Sequence, residues 1–362
     1  MSLKKLIKLL ISQILYYAGV VFLVEKVASA KGVIILAYHR VNEGAEDPLN
    51  MTISPRDFEI QMKYLAAHYS PITMSDLWDR PNGKGPAGVV VSFDDGYADN
   101  YHRAFPILQR YAVPAIFFLT VEPIENRTSL WYDRICQSIF SCQGEPLDLS
   151  TFGLADKVAV DERQKTKTAK ALVLYAKKNL DRPQIDALIH YLQRHCPSGD
   201  ACRSEMLTWD QVREMADAGM EFGAHTMTHA ILSRLDPEEQ RWEIQQSKEK
   251  IEHRLGRPVY FFSYPNGGPC DYTDQTVSLL EAVGFRAACT LTPGNADASR
   301  PYALPRIGID EAYTGYHSIG TKAVFACELA GIFDLFLRKR RRLCTAELKL
   351  VRKNNSGQRS IG

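Results

Sequence analysis

The stretch Gly88-Val89-Val90-Val91-Ser92-Phe93-Asp94-Asp95-Gly96 decides the fold. Three consecutive valines leading into Ser-Phe read as a buried strand, because a strand covered on both faces has no reason to alternate apolar with polar residues. The run stops at two acids and a glycine, a turn composition. Working outward, the same unit recurs. Val33–Tyr38, Ala115–Leu119, Met220–Ala224, Val259–Ser263 and Arg286–Thr290 read as further short strands. Asn100–Tyr111, Trp209–Ala218, Pro237–Leu255 and Thr273–Ala282 carry helical periodicity between them. Strands alternating with helices imply βα units and a parallel sheet. About six or seven units in one run favour a barrel or partial barrel over an open sheet.

Residues 122–203 break the rhythm. Lys165–Leu180 and Pro183–Cys196 are charged helical patterns there, so the segment reads as a helical insertion between two strands. The chain then divides into an N-terminal segment 1–31, a barrel 32–322, and a C-terminal helix with a basic tail, 323–362. No internal repeat is visible.

Composition sets the outer limits. The chain has 362 residues, 45% hydrophobic and 24% charged. These values exclude collagen-like, disordered and multi-span membrane classes. The net charge of +2 hides an asymmetry. Residues 1–31 hold five lysines and one acid, and residues 338–362 hold nine basic residues and one acid. The remaining body is net acidic and unsuited to a nucleic-acid backbone. Basic ends beside apolar residues suggest contact with an anionic membrane surface.

The N-terminus admits three readings. Lys4, Lys5 and Lys8 precede the apolar run Leu9–Val24, and Ala28-Ser29-Ala30 resembles a signal-peptide cleavage site. The run is short for a spanning helix. An amphipathic helix lying on a membrane or on the fold is the reading preferred, with a cytoplasmic protein peripheral to the inner membrane. Export to the periplasm or cell surface is the alternative. Ala323–Leu337, followed by Arg338-Lys339-Arg340-Arg341-Arg342, suggests a second surface anchor or a solvated basic helix end. Eight cysteines without a Cys-x-x-Cys pair read as mostly free thiols in a reducing compartment.

Two motifs carry chemistry. Asp94 and Asp95 follow a strand, and adjacent carboxylates repel unless a cation or proton divides their duties. His225-Thr226-Met227-Thr228-His229 follows another strand, and in a helix or tight turn its two imidazoles would share a face. Asp95, His225 and His229 together offer the ligand count of a catalytic site with positions left open.

Ser-Phe-Asp-Asp-Gly followed by His-Thr-x-x-His resembles the polysaccharide deacetylases, the NodB-homology group or carbohydrate esterase family 4. Leu36-Ala37-Tyr38-His39-Arg40-Val41, Leu207-Thr208-Trp209 through Ala218-Gly219, Phe262-Ser263-Tyr264-Pro265-Asn266-Gly267 and Leu304-Pro305-Arg306-Ile307 agree in order. The resemblance implies a distorted (β/α) barrel with a helical insertion, and metal-dependent hydrolysis of an N-acetyl or other N-acyl group from an amino sugar. It implies Asp94 as general base and Asp95, His225 and His229 as metal ligands. The backbone of the Tyr264-Pro265 segment would hold the oxyanion. The metal implied is divalent, with zinc preferred and Co, Mn or Fe compatible. The implied substrate is an N-acetylated saccharide, polymeric or lipid-linked. A deformylase of a lipid-linked amino sugar, an inactive glycan-binding protein and an unrelated metal phosphoesterase are alternatives.

The sequence departs from the family in two places. Many members end with Leu-x-His, whose histidine is the acid; this chain has Leu304-Pro305-Arg306, and arginine cannot donate a proton at ordinary pH. Many members also orient the base with an arginine before Tyr-Pro, where this chain has Phe262-Ser263. Arg306 is the candidate for that charge. His39 is either the replacement acid or a residue that orients a ligand. Trp131-Tyr132-Asp133-Arg134 could stack on a sugar or anchor the insertion.

Overall fold

The computed structural model describes residues 3–28, 32–43, 47–79, 88–143, 146–154, 158, 160–196, 205–297, 299–309 and 320–333. It divides into two compact units, one of residues 32–314 and one that joins 1–31 with 315–362.

The larger unit is built on a parallel sheet. Its strands are β1 (Ile34–Tyr38), β2 (Gly88–Phe93), β3 (Ala115–Leu119), β4 (Glu221–Ala224), β5 (Phe261–Ser263), β6 (Ala287–Cys289) and β7 (Ile307–Gly308). They pair in the order β7-β1-β2-β3-β4-β5-β6, every pair parallel, with Ser70–Pro71 alongside β2. Leu304 bridges to Cys289 just before the chain enters β7. The segment 304–308 therefore joins β6 to β1 and closes a distorted (β/α) barrel. β2 and β3 are buried along their whole length, as their unbroken apolar runs require. Gly223 lets β4 approach its neighbours, since a Cβ there would overlap the Phe118 ring and the Phe261 carbonyl.

Helix ends follow explicit sequence signals. The helix Pro237–Leu255 starts with a capping box between Asp236 and Glu239 and Pro237 in its first turn, and stops at left-handed Gly256. The insertion between β3 and β4 comprises the helices Trp131–Ser141, Lys165–Asn179 and Arg182–His195. Sequence reading passed over the first of these, together with Pro55–His68 and Met74–Asp79. Cys142 and Cys196 form a disulfide that ties the end of the first insertion helix to the end of the third. The expectation of mostly free thiols is amended accordingly: Cys136, Cys270, Cys289 and Cys327 are free, and Cys202 and Cys344 lie outside the described residues.

The smaller unit contains the helices Leu3–Tyr17, Val20–Ala28 and Thr321–Leu329. The apolar run Leu9–Val24 is thus two helices broken at Gly19, whose φ is +75°. The terminal segments are not independent pieces. Lys8 pairs with Glu328 at 2.5 Å, and Val324, Phe325 and Cys327 are buried. Ser29, Ala30, residues 334–337 and the cluster Arg338–Arg342 lie outside the described residues. Among the described residues no helix is long and apolar enough to cross a membrane.

Candidate active site

Every candidate side chain except Arg306 follows the carboxyl end of a strand, the rim where a (β/α) barrel gathers its functional groups. Asp94 and Asp95 follow β2, His39 follows β1, His225 follows β4, and Tyr264 follows β5. Arg306 immediately precedes β7. His39, Asp94, Asp95, His225 and His229 line one cavity of about 240 Å³, joined by Tyr132, Lys177 and Asn266.

Asp95 and the two imidazoles converge. His225 Nε2 lies 3.6 Å and His229 Nε2 3.5 Å from Asp95 Oδ1. His225 Nδ1 contacts the Ser263 carbonyl at 2.7 Å, which as an N–H donor would leave Nε2 with its lone pair toward Asp95. Of the helix or tight turn expected, the helix is not formed. The chain from His225 to His229 is a loop, with Thr226 at φ 67° and His229 at φ 60°. Asp95 is also left-handed, at φ 77°. Non-glycine residues rarely hold that conformation unless the surroundings impose it. Glu243 imposes part of it: its carboxylate accepts bonds from Met227 N at 2.8 Å, Thr228 N at 3.0 Å and the Thr228 hydroxyl at 2.6 Å.

A cation fits this donor set. Asp95 Oδ1 is buried and has no hydrogen-bond partner among the described residues, which is costly for a carboxylate oxygen. Oδ2 is satisfied by the Tyr132 hydroxyl at 2.7 Å. Burial first, and then the Asp94 charge, push the Asp95 carboxyl up to about 8. Burial lowers both histidines, so the imidazoles stay neutral and able to ligate.

Asp94 is set up in the opposite way. Burial would raise its pKa, but the Arg306 guanidinium holds it well below the usual carboxylate range. The pairing is bidentate, Arg306 Nη1 to Oδ1 at 2.7 Å and Nη2 to Oδ2 at 2.6 Å. Arg306 is 0% exposed. Its remaining donors reach Ser92 Oγ at 3.1 Å, Ser263 Oγ at 2.8 Å and the Thr290 carbonyl at 3.1 Å. Ser263 therefore touches both halves of the site, through its hydroxyl and its carbonyl.

Tyr264 and Pro265 do not offer the oxyanion contact expected of them. The Tyr264 N–H donates to the Cys289 carbonyl at 3.1 Å, and its hydroxyl donates to the Tyr302 carbonyl at 3.0 Å. Proline has no N–H to give. The member of that turn that does line the cavity is Asn266, at φ 61°. His39 lines the cavity, and burial lowers it to about 4. Trp131 and Tyr132 are buried, so the anchoring alternative describes them better than an exposed stacking platform. Tyr132 has a further place that sequence reading missed, on Asp95. Lys177 was missed altogether.

Comparison with known proteins agrees with this geometry. The family described as Polysaccharide deacetylase matches residues 82–141 and 160–288. YxkH of Bacillus subtilis (strain 168) is 22% identical over 286 residues, 78% of this chain and 72% of its own length. The poly-beta-1,6-N-acetyl-D-glucosamine N-deacetylase of Escherichia coli (strain K12) is 31% identical over 90 residues, 24% of this chain and only 13% of the enzyme. Among solved structures, the Streptococcus pyogenes deacetylase PplD in complex with acetate superposes with a TM-score of 0.52 at 20% identity, covering 77% of this chain and 92% of that one. IcaB from Ammonifex degensii gives 0.51 at 19% identity, covering 80% and 97%.

Proposed function

The chain belongs to the polysaccharide deacetylase family, and from that premise we propose that it hydrolyses the N-acetyl group of an amino sugar in a glycan, with a divalent cation held by Asp95, His225 and His229. The observation that carries the proposal is the buried, unpartnered Asp95 Oδ1 facing two imidazole nitrogens beside an ionised Asp94. Two imidazoles with one carboxylate suit zinc, and also Co, Mn or Fe. When bound, such an ion lowers the pKa of water to roughly 7 and polarises a carbonyl.

The rest of the work falls to the protein. Asp94, kept anionic by Arg306, accepts the proton of the attacking water; a carboxylate has about four lone-pair sites, so the bidentate arginine leaves room. Ser263 and Tyr132 orient the groups on either side. Asn266, which lines the cavity while the Tyr264 N–H is spent on Cys289, is the donor we assign to the developing oxyanion.

The substrate proposed is an N-acetylated saccharide polymer, in keeping with the poly-beta-1,6-N-acetyl-D-glucosamine N-deacetylases among its relatives. The Cys142–Cys196 disulfide supports the exported alternative over a cytoplasmic one. Helices of the smaller unit that expose large apolar side chains support attachment at a membrane surface, where a lipid-linked glycan would also be presented.

The test is acetate release from a β-1,6-linked N-acetylglucosamine oligomer, with metal analysis of the same samples. Wild type should hold about one equivalent of metal and release acetate. His225→Ala should lose the metal; Asp94→Asn should keep it and lose roughly 10²–10⁴-fold in rate. Asp94→Asn turning over at the wild-type rate would reject the base assignment.

A further inference from the structure

Cleavage of an amide needs a proton for the departing nitrogen, and the usual source is missing here. Arg306 cannot give one, and its donors are spent on Asp94, Ser92, Ser263 and Thr290. The Tyr132 hydroxyl is committed to Asp95. The insertion supplies another group. Lys177, near the end of the helix Lys165–Asn179, projects into the cavity shared by Asp94, Asp95 and the histidines. Its Nζ sits 5.7 Å from the centre of the Tyr132 ring. The Tyr132 hydroxyl bonds Asp95 and the Arg306 guanidinium bonds Asp94, so the lysine stands on the Tyr132 side of the site and the base on the Arg306 side.

We propose that Lys177 is the general acid of this enzyme, donating its Nζ proton to the leaving amine. The inference rests on the deacetylase reading above. In the step, a water oxygen bonds to the acetyl carbon as the carbonyl π pair moves onto its oxygen, and the water's proton passes to Asp94. The C–N bond then breaks as the carbonyl re-forms, the C–N electron pair goes to nitrogen, and nitrogen takes the proton from Lys177. Acetic acid, which ionises to acetate, and a free amino sugar leave; Asp94 gives its proton to solvent and Lys177 regains one. Burial moves Lys177 below the ordinary lysine value. A lysine on an inserted helix would make the insertion part of the catalytic unit.

The experiment compares two probes whose leaving groups differ in their need for a proton: the N-acetylglucosamine oligomer and 4-methylumbelliferyl acetate, whose phenolate departs unaided. Lys177→Met and Lys177→Arg should each lose roughly 10²–10⁴-fold on the oligomer, change less than about threefold on the ester, and keep their metal. Arginine preserves charge and bulk but not the transferable proton. Oligomer turnover retained by Lys177→Arg would overturn the proposal in favour of a simple cation. Equal losses on both probes would also overturn it, as would His39→Ala showing the selective oligomer defect instead. A wild-type enzyme that releases acetate from neither probe while holding its metal would overturn the deacetylase reading itself, a result distinct from all of these.

Discussion

At the scale of the residue, the site is a contrast between neighbours. Asp94 and Asp95 are adjacent and equally buried, yet one is held anionic and the other is pushed up to about 8. The difference is the partner: a bidentate guanidinium for Asp94, a single hydroxyl for Asp95. Removing Arg306 leaves a buried carboxylate uncompensated. Arg306→Met should destabilise the protein by about 3–5 kcal/mol, and the double variant with Asp94→Asn should recover part of that. Denaturant titration checks both, and a loss below about 1 kcal/mol would show the pair to be dispensable. Asp95 gives a linkage prediction. Its raised value means the metal-free site carries a proton on Asp95 at pH 7, while both imidazoles are already neutral. Binding should therefore release about one proton, and affinity should rise roughly tenfold per pH unit up to about pH 8, then level off. Calorimetry in buffers of different ionisation enthalpy measures this, and binding without proton release contradicts it. Sequence made Asp94, Asp95, His225, His229 and Arg306 visible because each sits in a short motif beside a strand. Lys177 and the contact of Tyr132 with Asp95 stayed hidden because both reach the site from a separate helical segment, and no local pattern marks that reach.

At the scale of the element, the strands and the long helices were legible from unbroken apolar runs and capping residues. Pro237–Leu255 has the same bounds in sequence and structure. The loop after β4 was not, because its shape is dictated by a side chain that follows it. Glu243 belongs to that long helix, yet its carboxylate holds the backbone of Met227 and Thr228. Nothing in the spacing His-x-x-x-His announces two left-handed residues. Glu243→Ala should free the loop, leaving buried N–H groups unpaired at a cost of about 1–3 kcal/mol each. Metal affinity should fall by about 10–100-fold, measured by chelator competition. Glu249→Ala, an exposed position on the same helix, should leave affinity unchanged. If both variants bind metal like wild type, the loop holds its form without Glu243.

At the scale of the whole molecule, the surprise is that the two chain ends form one unit. Sequence reading separated them because more than 300 residues lie between Ser12 and Cys327, whose Sγ contacts the Ser12 carbonyl at 3.8 Å. Pairing over that distance has no local signature. The consequence is physical. Val324 and Phe325 are buried in this unit, and Lys8 of the first helix pairs with Glu328. Yet the same helices leave Leu3 72%, Ile14 67% and Tyr17 79% exposed, with Leu10, Phe22 and Leu23 also open. Exposed apolar faces of this kind mark an interaction surface, and the lysine content of residues 1–31 favours an anionic one. The protein should bind phosphatidylglycerol-containing vesicles more tightly than phosphatidylcholine vesicles, and salt should weaken only the difference. Burying an isoleucine or leucine contributes about 1.5–3 kcal/mol, so Leu10→Glu with Ile14→Glu should weaken sedimentation with vesicles by about a hundredfold or more. Acetate release from a soluble oligomer should not change, because neither residue belongs to the unit that carries the site. Equal binding to both vesicle types, untouched by the double substitution, would mean that this apolar face serves another partner.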